Sequence, residues 1–266
     1  LPITTKTLDI IYFATAHFSP QLLLNLQTFF QLILNINSKE KVDENGKLTN
    51  NGINLSITGT NAWAEGASCT SSNDCSHAEG RGSTASGPRS HAEGSGNATA
   101  QYSHAECFNT TASGDFSHAE GYQSIASNSA AHAEGRSNAS GSFSHAEGSN
   151  TEAKGQNSHA EGNYTKAVGN HSHAEGSASE ANGIRSHAGG NASLANAADA
   201  FVHGNGLITT SDNCFVIGKY NVDEPAYFII GDGTDENNRK NIFKIDKSGD
   251  VWIMYNGVLT KLSTLL

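Results

Sequence analysis

The chain has 266 residues, a net charge of −10, 28 glycines and only 36% hydrophobic residues. A composition this poor in large apolar side chains excludes a broad packed core. The chain must therefore be disordered or bury small side chains in a thin, repeated interior. No cluster of lysine and arginine is present, so we expect no nucleic-acid partner.

The first 37 residues contain apolar side chains at gaps of 4, 3, 4 and 3, namely Leu22, Leu26, Phe29, Ile33 and Ile36. This spacing is typical of a coiled coil, but only about two heptads are present. A trimeric stalk and an ordinary amphipathic helix both remain open. Polar interruptions such as Asn25 and Gln27 argue against membrane insertion. We assign residues 1–52 to an N-terminal helical stalk followed by a polar linker.

The central part of the chain repeats His-Ala-Glu-Gly, or a close variant, every 13 or 14 residues. The histidines of this repeat are His77, His91, His104, His118, His132, His145, His159, His173 and His187. Trp63 extends the series backward by one step, and Phe201 and Phe215 extend it forward. A period this constant indicates a solenoid.

Each period contains a second recurring position. An alanine follows each histidine by eight residues, or by seven at Ala98 and Ala139. These two short repeats therefore lack one residue in the turn after Glu-Gly. Fourteen residues fit two strands of about five residues joined by Gly- and Asn-containing turns. Because side chains alternate across a strand, the Ser, Ala and Gly of residues 76–80 should point inward, and the His and Glu outward. Successive coils should stack about 4.8 Å apart.

The repeat resembles the head domain of YadA-like trimeric autotransporter adhesins. Ser-His-Ala-Glu-Gly at residues 90–94 and Thr-Glu-Ala-Lys-Gly at residues 151–155 match the two strands of that family's repeat. The His-Ala-Glu-Gly form is most similar to segments of Gram-positive surface proteins and phage tail fibres. The resemblance covers about residues 59–218. It implies an all-β, left-handed parallel β-roll solenoid, a homotrimer, and an extracellular, cell-surface or virion location. The family has Val and Ile at the trimer axis where this chain has His and Glu.

We assign residues 53–218 to the β-roll and residues 219–266 to a small C-terminal β cap. In the cap, the apolar runs 251–255 and 258–262 flank Asn256-Gly257, which is a strong hairpin signal. Residues 242–245 should add a third strand. Cys69 and Cys75 could form a local disulfide or remain two free surface thiols.

The outward His and Glu columns admit three interpretations, which are a solvated face, a trimer interface and a metal-binding ladder. Large apolar residues at both ends of the columns favour the interface, because they suggest that another surface covers it. The predicted interface consists of Trp63, His77, Glu79, His91, Glu93, His104, Glu106, His118, Glu120, His132, Glu134, His145, Glu147, His159, Glu161, His173, Glu175, Phe201, Phe215 and Ile217. Association should then respond to pH between about 5 and 8, where histidine titrates.

The metal ladder would use His77, Glu79, His91, Glu93, His118 and Glu120. A uniform ladder lacks the closed four-ligand geometry of a structural zinc site, so we expect no metal and no cofactor. No nucleophile elbow, phosphate loop or zinc-protease motif is present, and we expect no enzyme.

The leading functional expectation is a phage tail-fibre or receptor-binding component that attaches to a ligand on a bacterial or host surface. A cellular trimeric surface adhesin and a spacer or metal-binding rod are the alternatives.

Overall fold

A computed structural model describes residues 40–42, 48–50 and 55–266. The chain divides into two units, Leu1–Ile53 and Asn54–Leu266. In the first unit, strand β1 (Glu40–Val42) pairs antiparallel with β2 (Leu48–Asn50), within the segment expected to be a linker. The predicted helical stalk lies outside the described residues.

The second unit is a parallel β-solenoid of about 13 coils, which confirms the predicted fold class and is compatible with a β-roll. Its coil strands are β3 (Ser56–Ile57), β4 (Trp63–Ala64), β5 (Thr70–Ser71), β6 (His77–Ala78), β7 (Thr84–Ala85), β8 (His91–Ala92), β9 (Asn97–Ala98), β10 (His104–Ala105), β11 (Thr111–Ala112), β12 (His118–Ala119), β13 (Ile125–Ala126), β14 (His132–Ala139), β15 (His145–Ala153), β16 (His159–Asn163), β17 (Lys166–Ala167), β18 (His173–Ala174), β19 (Glu180–Ala181), β20 (His187–Asn191), β21 (Leu194–Ala195), β22 (Phe201–Asn205), β23 (Ile208–Thr209) and β24 (Phe215–Lys219). Among the described residues, no helix is long and apolar enough to cross a membrane.

Each strand pairs in parallel with the equivalent strand one coil later, so that identical residues lie side by side. His104, for example, pairs with His118, and Ala105 with Ala119. Most strands contain two residues rather than the predicted five, because the chain turns directly after the alanine or glutamate. Gly80 was predicted to point inward, but it is exposed and has a φ of +98°. It belongs to the corner, where a left-handed conformation favours glycine.

The second short repeat shows how a residue is lost without disturbing the register. In the pairing of β14 with β15, Arg136 lies beside Ser149 but Ser137 lies beside Thr151. Asn150, which has a φ of +57°, is the residue without a counterpart. The predicted deletion in the turn after Glu-Gly is thereby confirmed.

Small side chains fill the interior of the coils. The alanine of every His-Ala step from Ala78 to Ala188 is fully buried, and so are the second-strand alanines from Ala85 to Ala195. In several coils the serine before the histidine donates its hydroxyl to the carbonyl three residues earlier, as in Ser117 to Gly114 at 2.6 Å. Because each methyl group buries little area, backbone hydrogen bonds between coils carry much of the cohesion.

The interior changes at the C-terminal end of the solenoid. The column that contains Ala188 continues as Val202, Val216 and Ile229, all fully buried. Strand β25 (Ala226–Asp232) still pairs in parallel with β24, but β26 (Asn241–Asp246), β27 (Val251–Tyr255) and β28 (Val258–Lys261) form an antiparallel meander, followed by a short 3-10 turn at Leu262–Thr264. This arrangement confirms the predicted three-stranded β cap and its Asn-Gly hairpin.

Asn221 ends the column of second strands. Its buried side chain accepts a hydrogen bond from the Ile208 amide at 2.8 Å and donates one to the Ile208 carbonyl at 2.8 Å. The carboxamide thus occupies the place that the backbone of a further coil would take. It satisfies the two groups that β23 would otherwise leave unpaired.

The cysteines at the N-terminal end of the solenoid are free. Cys69 is buried and Cys75 is exposed, so the local disulfide is absent and only one of the two thiols lies at the surface.

Candidate functional site

The histidines of the repeat form a continuous stack along one face. From His77 to His173, successive ring centroids are 4.7–4.9 Å apart and the ring planes differ by 1–7°. This spacing matches the separation of paired strands, because each ring is carried by the same backbone position of successive coils. His187 lies edge-on to His173, with an interplanar angle of 85°, and begins a second stack that continues through Phe201, Phe215 and Phe228 toward the cap.

The glutamates lie in a second column beside the rings. Together with the apolar residues at the column ends, the two columns form what we call the His–Glu stripe, which consists of the predicted interface residues given above. The histidine side chains from His91 to His173 are 35–37% exposed. Oxygen atoms of the neighbouring glutamates lie 3.5–4.0 Å from their Nε2 atoms. Within the described residues, the Nε2 atoms of the nine repeat histidines are buried and accept or donate no hydrogen bond.

The carboxyl groups of the column are close enough to form hydrogen bonds with one another. These hydrogen bonds, with burial and charge repulsion as further causes, raise the pKa of Glu106 and of Glu134 to about 7. The pKa values of Glu93, Glu120 and Glu147 are lowered by hydrogen bonds from these protonated neighbours. Glu106 and Glu134 are therefore partly protonated near neutral pH, which reduces the charge of the column around them.

Burial lowers the pKa of several histidines of the repeat, with repulsion from adjacent rings as a second cause. This holds for His104, His118, His145 and His187. The lowered pKa favours the neutral imidazole at these four positions near neutral pH.

The structure brings together all the residues of the predicted interface, since every one of them lies in the two columns of the first-strand face. Trp63 at one end is 42% exposed and Phe215 at the other is 40% exposed. A shallow groove of about 430 Å³ runs along the glutamate column between Glu134 and Glu175.

In the regular coils, one histidine and two glutamates, such as Glu79, His91 and Glu93, have ligand atoms within 4.8 Å of one another, but two histidines are poorly placed to share one metal ion. Two ligands of one zinc ion can be at most about 4.2 Å apart, given bonds of about 2.1 Å. Parallel imidazoles separated by 4.7–4.9 Å exceed this limit unless the stack opens. The metal alternative built on His77, Glu79, His91, Glu93, His118 and Glu120 stays an untested prediction, and the stacking disfavours it.

One site departs from the regular pattern. Gly189 replaces a glutamate of the column, and His203 of the next coil turns into the space that it leaves. His203 Nδ1 lies 3.4 Å from Glu175 Oε1, and His187 Nε2 lies 3.3 Å from the same oxygen. The sequence does carry a signal of this site, because Gly189 and His203 stand where the column otherwise has glutamate.

A second surface feature is a set of aromatic residues at the corners of the coils. Tyr102, Phe116 and Phe143 have φ values of +55° to +59° and are 43%, 61% and 60% exposed. Tyr102 stacks on Phe116 with a centroid distance of 5.0 Å. Bulky residues in a left-handed conformation are uncommon, so their side chains are held away from the interior at some conformational cost.

A comparison of the sequence with models of known protein families and with curated proteins finds no match. The functional interpretation therefore depends on the geometry of the stripe and on the form of the repeat.

Proposed function

We propose that the protein is a non-enzymatic, homotrimeric fibre component that attaches to a bacterial surface, as part of a phage tail fibre or receptor-binding assembly. A cellular trimeric adhesin of the same build would use the same surfaces.

The uniformity of the His–Glu stripe carries this proposal. In a cyclic trimer whose axis runs along the solenoid, each coil meets the same coil of its two neighbours. A face that carries the same side chains in successive coils can then form the same contact along the whole axis. The stripe is such a face, whereas the outward column of the second strands varies freely, from Thr111 through Ile125 and Glu152 to Lys166.

Burial of the stripe also gives its exposed apolar ends a partner. Trp63 and Phe215 would leave water, and the groove beside the glutamates would receive side chains of a neighbouring chain. The buried Nε2 atoms require hydrogen bonds, because an unpaired buried polar atom costs about 1–3 kcal/mol. Small movements of the carboxylates toward the rings upon association would supply them.

The corner aromatics support attachment rather than a spacer role. Tyr102, Phe116 and Phe143 lie off the stripe and stay exposed if the stripe is buried. Exposed aromatic side chains are enriched in recognition surfaces because they provide large contact areas at low entropic cost.

The solution mass of the full chain at pH 7.5, measured by light scattering, tests the assembly. We expect three times the chain mass of 27.9 kDa. A monomer would remove the trimer from the proposal.

A matched pair of variants tests which face associates. Aspartates at His118 and His132 add charge to the stripe and should yield a monomer with an unchanged circular dichroism spectrum. Aspartates at Thr111 and Ile125, on the second-strand face of the same coils, should leave the trimer intact. The reverse outcome would assign the interface to the other face.

Attachment is tested separately with fluorescently labelled protein and isolated Gram-positive cell walls. Saturable binding that weakens when Phe116 and Phe143 are replaced by serine would support it. A trimer that binds no cell wall from a broad panel would favour the spacer.

A further inference from the structure

The regular glutamate column breaks at one point, and the break places three metal-binding groups together. Glu175, His187 and His203 belong to three successive coils. In the regular coils, a glutamate occupies the position that corresponds to His203, and another glutamate occupies the position that corresponds to Gly189. Here one carboxylate faces two imidazoles of different columns.

Gly189 provides the space in which these groups meet. The residue is buried, and a Cβ atom at this position would lie 2.4 Å from His203 Nδ1 and 2.9 Å from Glu175 Oε1. Any side chain at residue 189 would therefore displace His203. The missing side chain thus permits the contact between coils.

Two of the three distances match those between ligands of a tetrahedral zinc ion. With bonds of 2.0–2.1 Å, tetrahedral ligand atoms are about 3.3–3.4 Å apart. Glu175 Oε1 lies 3.3 Å from His187 Nε2 and 3.4 Å from His203 Nδ1. The two imidazole nitrogens lie within 4.8 Å of each other, so a rotation of the exposed His203 side chain would complete the set. The corresponding distances in the regular coils are 3.5–4.0 Å, and the imidazoles there are parallel and about one coil apart.

The ring of His187 is held in a fixed position with an unpaired nitrogen atom, as a metal ligand requires. Its Nε2 atom is buried and has no hydrogen-bond partner. Phe201 stacks on the ring at 4.5 Å, and His173 packs edge-on at 5.0 Å, so the ring is held in place. His203, in contrast, is 50% exposed in its side chain, which leaves one side of the site open to solvent.

We infer that Glu175, His187 and His203 bind one Zn²⁺ ion per chain, with a water molecule as the fourth ligand. Two imidazoles and one carboxylate are an established zinc ligand set. All three ligands belong to a single chain, although Glu175 also lies in the proposed trimer interface. A bound ion would join three successive coils at the point where the interior changes from alanine to valine.

Calorimetric titration of the full chain with ZnCl₂ at pH 7.5 tests this site, with protein purified without a histidine tag. We expect saturation at one zinc per chain. His203→Ala should weaken the affinity at least about tenfold, because a ligand is lost. Gly189→Ala should do the same, since its methyl group would displace the ends of the His203 and Glu175 side chains and leave the backbone in place. His132→Ala, in a regular coil, is the matched control and should leave the affinity unchanged.

Cobalt provides an independent readout, because four-coordinate Co²⁺ absorbs far more strongly in the visible range than six-coordinate Co²⁺. Strong visible bands that vanish in His203→Ala would support the site. Absence of saturable zinc binding, or an affinity that His203→Ala leaves unchanged, would overturn the inference. Equal weakening by His132→Ala would assign the ion to the regular ladder instead and would also overturn it.

Discussion

The regular coils and the C-terminal coils share one backbone but differ inside. From Ala78 to Ala188 the column under the stripe is alanine, and after it come Val202, Val216 and Ile229. The strand register does not change at this boundary. Backbone pairing therefore sets the register, and the side chains fill whatever space the coil leaves.

The two regions should differ in how they are stabilised. Burial of apolar surface contributes about 25 cal/mol per Å², so valine, isoleucine and leucine contribute more per coil than alanine and serine. The C-terminal coils thus combine apolar burial with backbone bonds, while the regular coils rely more on backbone bonds and ring stacking. Substitutions that exchange the two kinds of interior test this difference.

The largest effect is expected from Leu207→Ala. Leu207 is fully buried and takes the place of the serine and threonine column of the regular coils. Its truncation should lower the free energy of unfolding by about 2–5 kcal/mol, as in other cores. Urea unfolding followed by circular dichroism measures this. Leu194→Ala, on the outward face, is the control, and an equal loss there would show that apolar burial does not distinguish the C-terminal end.

An intermediate effect is expected from Ala119→Val in a regular coil. Ala119 is fully buried between identical alanines of adjacent coils, so extra methyl groups should cost about 1–3 kcal/mol. Ala188→Val introduces the same change beside Val202 and should cost less. An equal loss of unfolding free energy in the two variants would mean that the regular coils accommodate a larger side chain as easily as the coil beside Val202 does.

The smallest effect is expected from Glu106→Gln, and it depends on pH. Because its pKa in the folded chain is raised to about 7, Glu106 binds more protons folded than unfolded between about pH 4.5 and 7. Its contribution to stability falls as pH rises through this window. Removing the charge should therefore stabilise the protein at pH 8, by no more than about 1 kcal/mol for a half-exposed group, and have little effect at pH 4.

Thermal melts at pH 4 and pH 8 check this, with the exposed Glu236→Gln as the control. A Glu106→Gln variant that is destabilised at pH 8 would contradict the repulsion within the glutamate column.

Sequence reasoning reached the fold because the period fixes it. Histidines 13 or 14 residues apart can only become neighbours if each period makes one coil. The alanine that recurs seven or eight residues after each histidine then divides the coil into two strands. The Asn-Gly pair at residues 256–257 located the cap hairpin for a similarly local reason. Composition and spacing were sufficient wherever the same residue recurs in the same environment.

The exceptions to the repeat could not be predicted in the same way. Gly80 was assigned to the inner face by alternation, but its left-handed backbone places it at the corner. The meeting of Glu175 with His203 depends on a ring turning across Gly189, which no periodicity describes. The role of Asn221 depends on which strand lacks a partner, and that is a property of the whole stack.

Asn221 also gives the repeat a defined length. Its carboxamide fills the edge of β23 that another coil would need, so a coil cannot be added after it without expelling a buried, fully bonded side chain. The position of a single asparagine thus determines where the series of coils ends. Chains that gain internal coils by duplication, or lose them by deletion, would keep this asparagine. The solenoid could then change in length while its cap stays the same.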